Sequence, residues 1–162
     1  MTKYYHVTTN HYGAEQVFEP HVPAYLQKGE DKKTERICVT DNWRHSLRSI
    51  ILLRRYSNRF YVYSTDKEPV NPNTERERLL KEKAIRKNHN LFRLPPDGQV
   101  NKEKWYTEKT TMQLEGMVVF PTEMRAMALM GFGFMHDPDV DKMKLEPYKE
   151  EEFMLGGRKF RR

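Results

Sequence analysis

Two residues near the start of the chain, His6 and Thr8, have types and spacing that suit chemistry. They stand in Lys3-Tyr4-Tyr5-His6-Val7-Thr8-Thr9, whose aromatic and β-branched content predicts a strand. Alternate residues of a strand point to one face. The His6 imidazole and the Thr8 hydroxyl therefore stand side by side, on the solvent side of the sheet. Tyr5 and Val7 face the other way, into a core. An imidazole beside a hydroxyl suits the hydroxyls of a ribose or the oxygens of a phosphate.

Other chemistries find less support. A phosphoesterase built on two His-x-Thr/Ser pairs needs a second pair, and none of His11, His21, His45, His89 and His136 supplies it. No two histidines stand four apart on a predicted helix and there is no Cys-x-x-Cys, so no metal site is expected. Gly-x-Gly-x-x-Gly, Gly-Lys-Ser/Thr and Gly-x-Ser-x-Gly are all missing from the sequence. Cys38, on a predicted strand, reads as a small core residue. Met124, Met127 and Met130 read as the packing face of a helix. Arg54, Arg55 and Arg59 flank aromatic residues, but no RNA-binding signature accompanies them.

Several elements must position these groups. Residues 10–35 read as a loop, with a solvated, mobile charged run at Lys28-Gly29-Glu30-Asp31-Lys32-Lys33. Arg36-Ile37-Cys38-Val39-Thr40 is the next strand, and Thr40-Asp41-Asn42 is a helix N-cap cluster. Trp43, Leu47, Ile50 and Ile51 then share the apolar face of a helix. Arg59-Phe60-Tyr61-Val62-Tyr63-Ser64-Thr65 is the clearest strand. Residues 74–90 form a helical insertion with a narrow apolar stripe. Trp105-Tyr106 is a short strand, and 110–120 is the last long one. Along it Met112, Leu114, Gly116 and Val118 are expected on one face, and Gln113, Glu115 and Met117 on the other. A Met-rich helix follows over 123–130. Residues 1–136 are expected to form a single domain, and 137–162 a polar, basic-ended extension. Strands outnumber helices without alternating regularly, which predicts an α+β fold.

Composition sets the outer bounds. At 162 residues the chain holds one domain with a core. Mean hydropathy is −0.92, yet 12% aromatic residues argue for a compact fold over disorder. A net charge of +6 permits an anionic partner. A single cysteine excludes an internal disulfide and fits a reducing compartment. No apolar run approaches a membrane span, so a cytoplasmic protein with no membrane partner is expected.

The order of these motifs resembles the small ADP-ribosyltransferase-like fold of the rifampin ADP-ribosyltransferase type, including small phage and bacterial relatives. The resemblance covers Tyr4 to Val119. It rests on Tyr5-His6-Val7-Thr8, Phe18-Glu19-Pro20, Ile37-Cys38-Val39-Thr40 leading into the helix from Trp43, Tyr61-Val62-Tyr63, and Glu115-Gly116-Met117-Val118. It implies a compact, twisted, split sheet with flanking helices and NAD as the cofactor. His6, Thr8, Arg36, Cys38, Tyr61 and Tyr63 would contact the cofactor, His6 at the ribose. His6 with Glu108 or Glu115 would serve catalysis, the acid orienting the ribose hydroxyl. Where the family stacks a tyrosine on the nicotinamide, this chain has Cys38. Two functions follow as expectations: NAD-dependent ADP-ribosyl transfer to a protein, nucleic-acid or small-molecule acceptor, or nucleotide capture by a catalytically degenerate relative. The second fits a phage-encoded sponge for an NAD-derived or cyclic-nucleotide immune signal. A module that binds nucleic acid or protein without a small ligand is a third.

Overall fold

The computed structural model describes residues 1–24, 31–51, 58–71, 103–119 and 143–148. The chain order is β1 (Tyr4–Thr8), β2 (Glu15–Phe18), β3 (Ile37–Val39), α1 (Trp43–Ile51), β4 (Arg59–Thr65), β5 (Lys104–Tyr106) and β6 (Thr110–Val119). Four strands form one sheet in the order β1-β4-β6-β2, and β3 pairs with β5 in a second. All of these pairings are antiparallel. The described chain is thus mixed and strand-rich, with one helix, as an α+β reading expects.

β4 runs through the middle and is buried on both sides. Its Phe60 and Val62 face one apolar cluster with Val7, Trp43, Leu47 and Val118. Its Tyr61 and Tyr63 face another with Tyr4, Ile37, Val39, Tyr106, Met112 and Met117. A strand with this alternation reads as near-continuous hydrophobic sequence because neither face meets water.

α1 covers the first cluster. The Asn42 side-chain oxygen accepts the Arg44 amide at 3.0 Å and so caps the helix. Trp43 and Leu47 are buried and Ile50 packs against them, as their spacing predicts. The Ser46 hydroxyl fixes the helix to β1 by donating to the Tyr5 carbonyl at 2.9 Å.

β3 covers the second cluster. Its flanks pair with both edges of the main sheet: Tyr5 bridges Thr40, and His21, just beyond β2, bridges Arg36. The edge strands are thereby tied across the face that carries His6. That face is a second interior, not the solvent side of the sheet.

Three further features depart from the sequence reading. β2 forms inside the stretch expected to be loop. Its Glu-Gln-Val-Phe sequence has little strand signal, and pairing with 110–113 of β6 supplies what local propensity lacks. The charged run ends in a fastened turn: Asp31 is buried, and its carboxylate accepts the Lys33 and Thr34 amides at 2.7 and 3.0 Å. In β6 the period breaks where the β4 register shifts between Val62 and Tyr63. Met112 and Met117, expected on opposite faces, lie in the same cluster, while Val118 lies in the other. A bulge puts two consecutive residues on one side, here Glu115 and Gly116.

Residues 143–148 were expected in the polar extension. They lie along β6 instead, with Met143 and Leu145 against the first cluster and a Met117–Glu146 bridge. The helices expected over 74–90 and 123–130, and the tail 149–162, lie outside the described residues. No helix among the described residues is long and apolar enough to cross a membrane.

Candidate functional site

Cross-strand register assembles the site. His6 lies opposite Tyr63, and Thr8 opposite Tyr61, on the face turned away from Tyr5 and Val7. His6 is half-buried between the sheet and β3. Its Nδ1 meets the Cys38 carbonyl oxygen at 2.9 Å. A carbonyl only accepts, so Nδ1 carries the proton and Nε2 is the ring's acceptor. Burial holds the His6 pKa below its ordinary value, with His21 adding to the effect against the Cys38 hydrogen bond. A neutral imidazole with a bare Nε2 can accept a hydrogen bond from a ligand hydroxyl.

Aromatic rings surround it. The Phe18 ring meets His6 edge-on at 4.8 Å and Tyr63 at 5.2 Å. Tyr12 meets Phe18 edge-on at 5.8 Å. Further along, His11 packs on Tyr61 at 5.2 Å and stacks on Tyr148 at 4.1 Å. Tyr63 holds the loop carrying His11 and Tyr12, since its hydroxyl accepts the Tyr12 amide and donates to the Gly13 carbonyl. Gly13 closes that loop at φ 102°, a conformation that favours glycine. His11 and Tyr12 are exposed, so the ring cluster runs from a buried floor at Tyr61 and Tyr63 to an open rim. Such rings can stack a base or a nicotinamide.

The other residues singled out from sequence have separate settings. The Thr8 hydroxyl accepts the Asn10 amide at 3.2 Å. Tyr61 and Tyr63 are buried, which pushes both phenols above their usual pKa. Arg36 is buried, donates to the Asp31 and Thr34 carbonyls, and lies over the Trp105 ring at 4.4 Å. It anchors the entry to β3. Cys38 brings its carbonyl to His6, while its side chain, between the inward-facing Ile37 and Val39, turns away. Burial, reinforced by the Glu103 carboxylate, raises its thiol well above the usual range. A thiol held in this form is a poor nucleophile at neutral pH.

The two candidate acids lie in different settings. Glu115 occupies the β6 bulge and takes hydrogen bonds from Ser64 and Lys3. Ser64 lies opposite Tyr5 in the β1–β4 register, which puts Glu115 on the face away from His6. Burial opposes ionisation of Glu115, but those two donors outweigh it and hold its pKa low. Glu108 is exposed and pairs with Lys67, whose hydrogen bond likewise lowers its pKa. It lies two residues before Thr110, the register partner of Phe18.

Sequence reasoning missed His11, Tyr12, Phe18 and Tyr148 as members of the ring cluster. Aromatics on both sides of an unrecognised β2, with Gly13 as the turn between, were the available signal. Nothing in the sequence pointed to Tyr148, which reaches the site from a distant part of the chain. Among the described residues no group of three or more His, Cys, Asp or Glu is placed to hold a metal ion. No protein-family model, curated protein or solved structure matches this chain.

Proposed function

We propose that this chain is an ADP-ribosyltransferase-like nucleotide-binding protein that captures NAD or a related nucleotide without turning it over. The observation that carries the reading is the joining of His6 and Thr8 to a ring-lined face, with Glu115 on the opposite face of the same sheet. The His6 Nε2 would take a ribose hydroxyl, and the rings would take the base. A carboxylate beside the ribose is what an oxocarbenium-like transition state needs, and Glu115 is turned away from it. In a cell this chemistry fits a cytoplasmic sponge for an NAD-derived or cyclic-nucleotide signal, as in phage anti-defence.

Transfer remains the second reading because Glu108 stands near the end of β6 that pairs with Phe18. In that case the bond between ribose and nicotinamide breaks, nicotinamide leaves, and a protein or nucleic-acid acceptor takes the ADP-ribosyl group.

Calorimetry against NAD, ADP-ribose and cyclic nucleotides, followed by chromatography of the recovered ligand, tests both. Binding with the ligand recovered intact, including after incubation with cell lysate, is expected. Nicotinamide release with a labelled acceptor would replace capture by transfer. No heat with any of these ligands would overturn the nucleotide reading.

A further inference from the structure

We infer that Tyr148 is a built-in stand-in for the planar base of the ligand, seated over His11 and displaced when a nucleotide binds. The inference rests on the nucleotide-binding reading above and adds to it a subsite and its regulation.

The argument starts from how the chain arrives at Tyr148. Met117 and Glu146 exchange two backbone hydrogen bonds, of 2.8 and 2.9 Å. Gly116 allows this approach, since a Cβ there would lie 2.3 Å from the Glu146 carbonyl oxygen. Met143 and Leu145 pack on the first cluster and fix the same segment from the other side. Pro147 and Tyr148 follow directly on this bridge. Tyr148 stands two residues past the Met117–Glu146 bridge.

The ring then does what a base would do. It lies nearly parallel to the His11 imidazole, with centroids 4.1 Å apart and planes 26° from each other. It meets Tyr61 edge-on at 6.0 Å. Stacking at this separation is how a purine or a nicotinamide settles on an aromatic side chain. The backbone next to His11 is held, because the Tyr63 hydroxyl accepts the Tyr12 amide and donates to the Gly13 carbonyl. The Tyr148 ring also packs against the second cluster, and its displacement would be a rotation about two side-chain torsions that leaves the Met117–Glu146 bridge formed. Binding must then displace an intramolecular competitor, which lowers apparent affinity by the fraction of time the slot is open.

Two measurements test this on the full chain. In calorimetry with ADP-ribose and NAD, Tyr148→Ala should bind about three- to tenfold more tightly than wild type, the range one aromatic pair is worth. Adding His11→Ala to that variant should reverse the gain. Separately, 3-fluorotyrosine placed at position 148 of otherwise unaltered protein should shift its ¹⁹F resonance on saturation with ADP-ribose. Unchanged or weaker binding by Tyr148→Ala, or an unmoved resonance with ligand bound, would overturn the stand-in and leave the nucleotide reading intact. If neither wild type nor Tyr148→Ala binds either probe, both readings fall. Should the alanine variant not fold, the fluorine measurement decides alone.

Discussion

His6 holds its Nδ1 proton against the Cys38 carbonyl and keeps its pKa below the ordinary value, which makes it a group that folding prefers neutral. The sign follows from linkage. A folded pKa below the unfolded value near 6.5 gives stability that is present above that pH and is lost as the pH falls from there through the lower folded value. The carboxylates held low by hydrogen bonds, Glu115 among them, lose their contribution only below about pH 4. The melting temperature of the wild type should therefore start to fall between pH 7 and 5, ahead of the carboxylate range. His6→Gln keeps an amide donor and removes the titration, so it should flatten that first segment; parallel curves for the two proteins would mean that His6 is not the group responsible. In binding, His6→Ala should weaken ADP-ribose by at least about tenfold, about 1.4 kcal/mol. An unaltered Kd with a lowered melting temperature would assign the imidazole a purely structural part. Cys38 offers a third readout. With its thiol pushed well up by burial, it should react with iodoacetamide at pH 8 at least about tenfold more slowly in the folded protein than in urea.

At the scale of elements, legibility followed local signal. β4 and α1 were readable because their patterns are self-contained: a run of aromatic and β-branched residues, and an apolar face behind an N-cap. Leu47 is fully buried at the centre of that face, so Leu47→Asp should cost several kcal/mol in urea denaturation. β2 was not readable because its stability comes from β6, far along the chain. The β6 bulge was not readable either, since strict alternation is the only rule a strand sequence displays. That slip brings Met117 to the side of His6 and Gly116 to the side of Ser64, where Glu115 already stands by alternation from Leu114. His6 and Thr8 were correctly placed on one face, but that this face is a second interior depends on the two β3 bridges, which no spacing reveals. Gly116 was legible as a residue and not as a role. Its missing Cβ admits the Glu146 backbone, so Gly116→Val should destabilise by about 1–3 kcal/mol and release residues 143–148. Faster amide exchange of Met117 and Glu146 in that variant would report the release, and unchanged exchange would show that the segment is held by its side chains instead.

At the scale of the described molecule, the four-stranded sheet is filled on both faces, by α1 on one and by β3 on the other, and this arrangement binds the two layers into one unit. β4 is common to both, with Phe60 and Val62 in the helix-side cluster and Tyr61 and Tyr63 in the β3-side cluster. Stripping either layer exposes half of the same strand. The β3–β5 pair is itself tied at Tyr5–Thr40, at His21–Arg36 and, through β5, at Val70–Trp105. Loss of that pair would break three bridges and uncover Ile37 and Val39 together. Cooperative unfolding is the consequence, with no stage at which one layer is open and the other closed. The two tryptophans allow a direct check, because each reports a different layer. Trp43 lies in the helix-side cluster with the Arg44 guanidinium over its ring at 4.3 Å. Trp105 is fully buried on β5, with Arg36 over its ring and its indole N–H donating to Glu103 at 2.7 Å. In the single-tryptophan variants Trp43→Phe and Trp105→Phe, the fluorescence transition in urea should coincide with that variant's own far-ultraviolet circular dichroism. If Trp105 fluorescence changed at clearly lower urea than the dichroism, β3–β5 would be a layer that opens by itself. The face carrying His6 would then be exposed by local unfolding rather than by movement of Tyr148, and ligand affinity would track urea below the global transition.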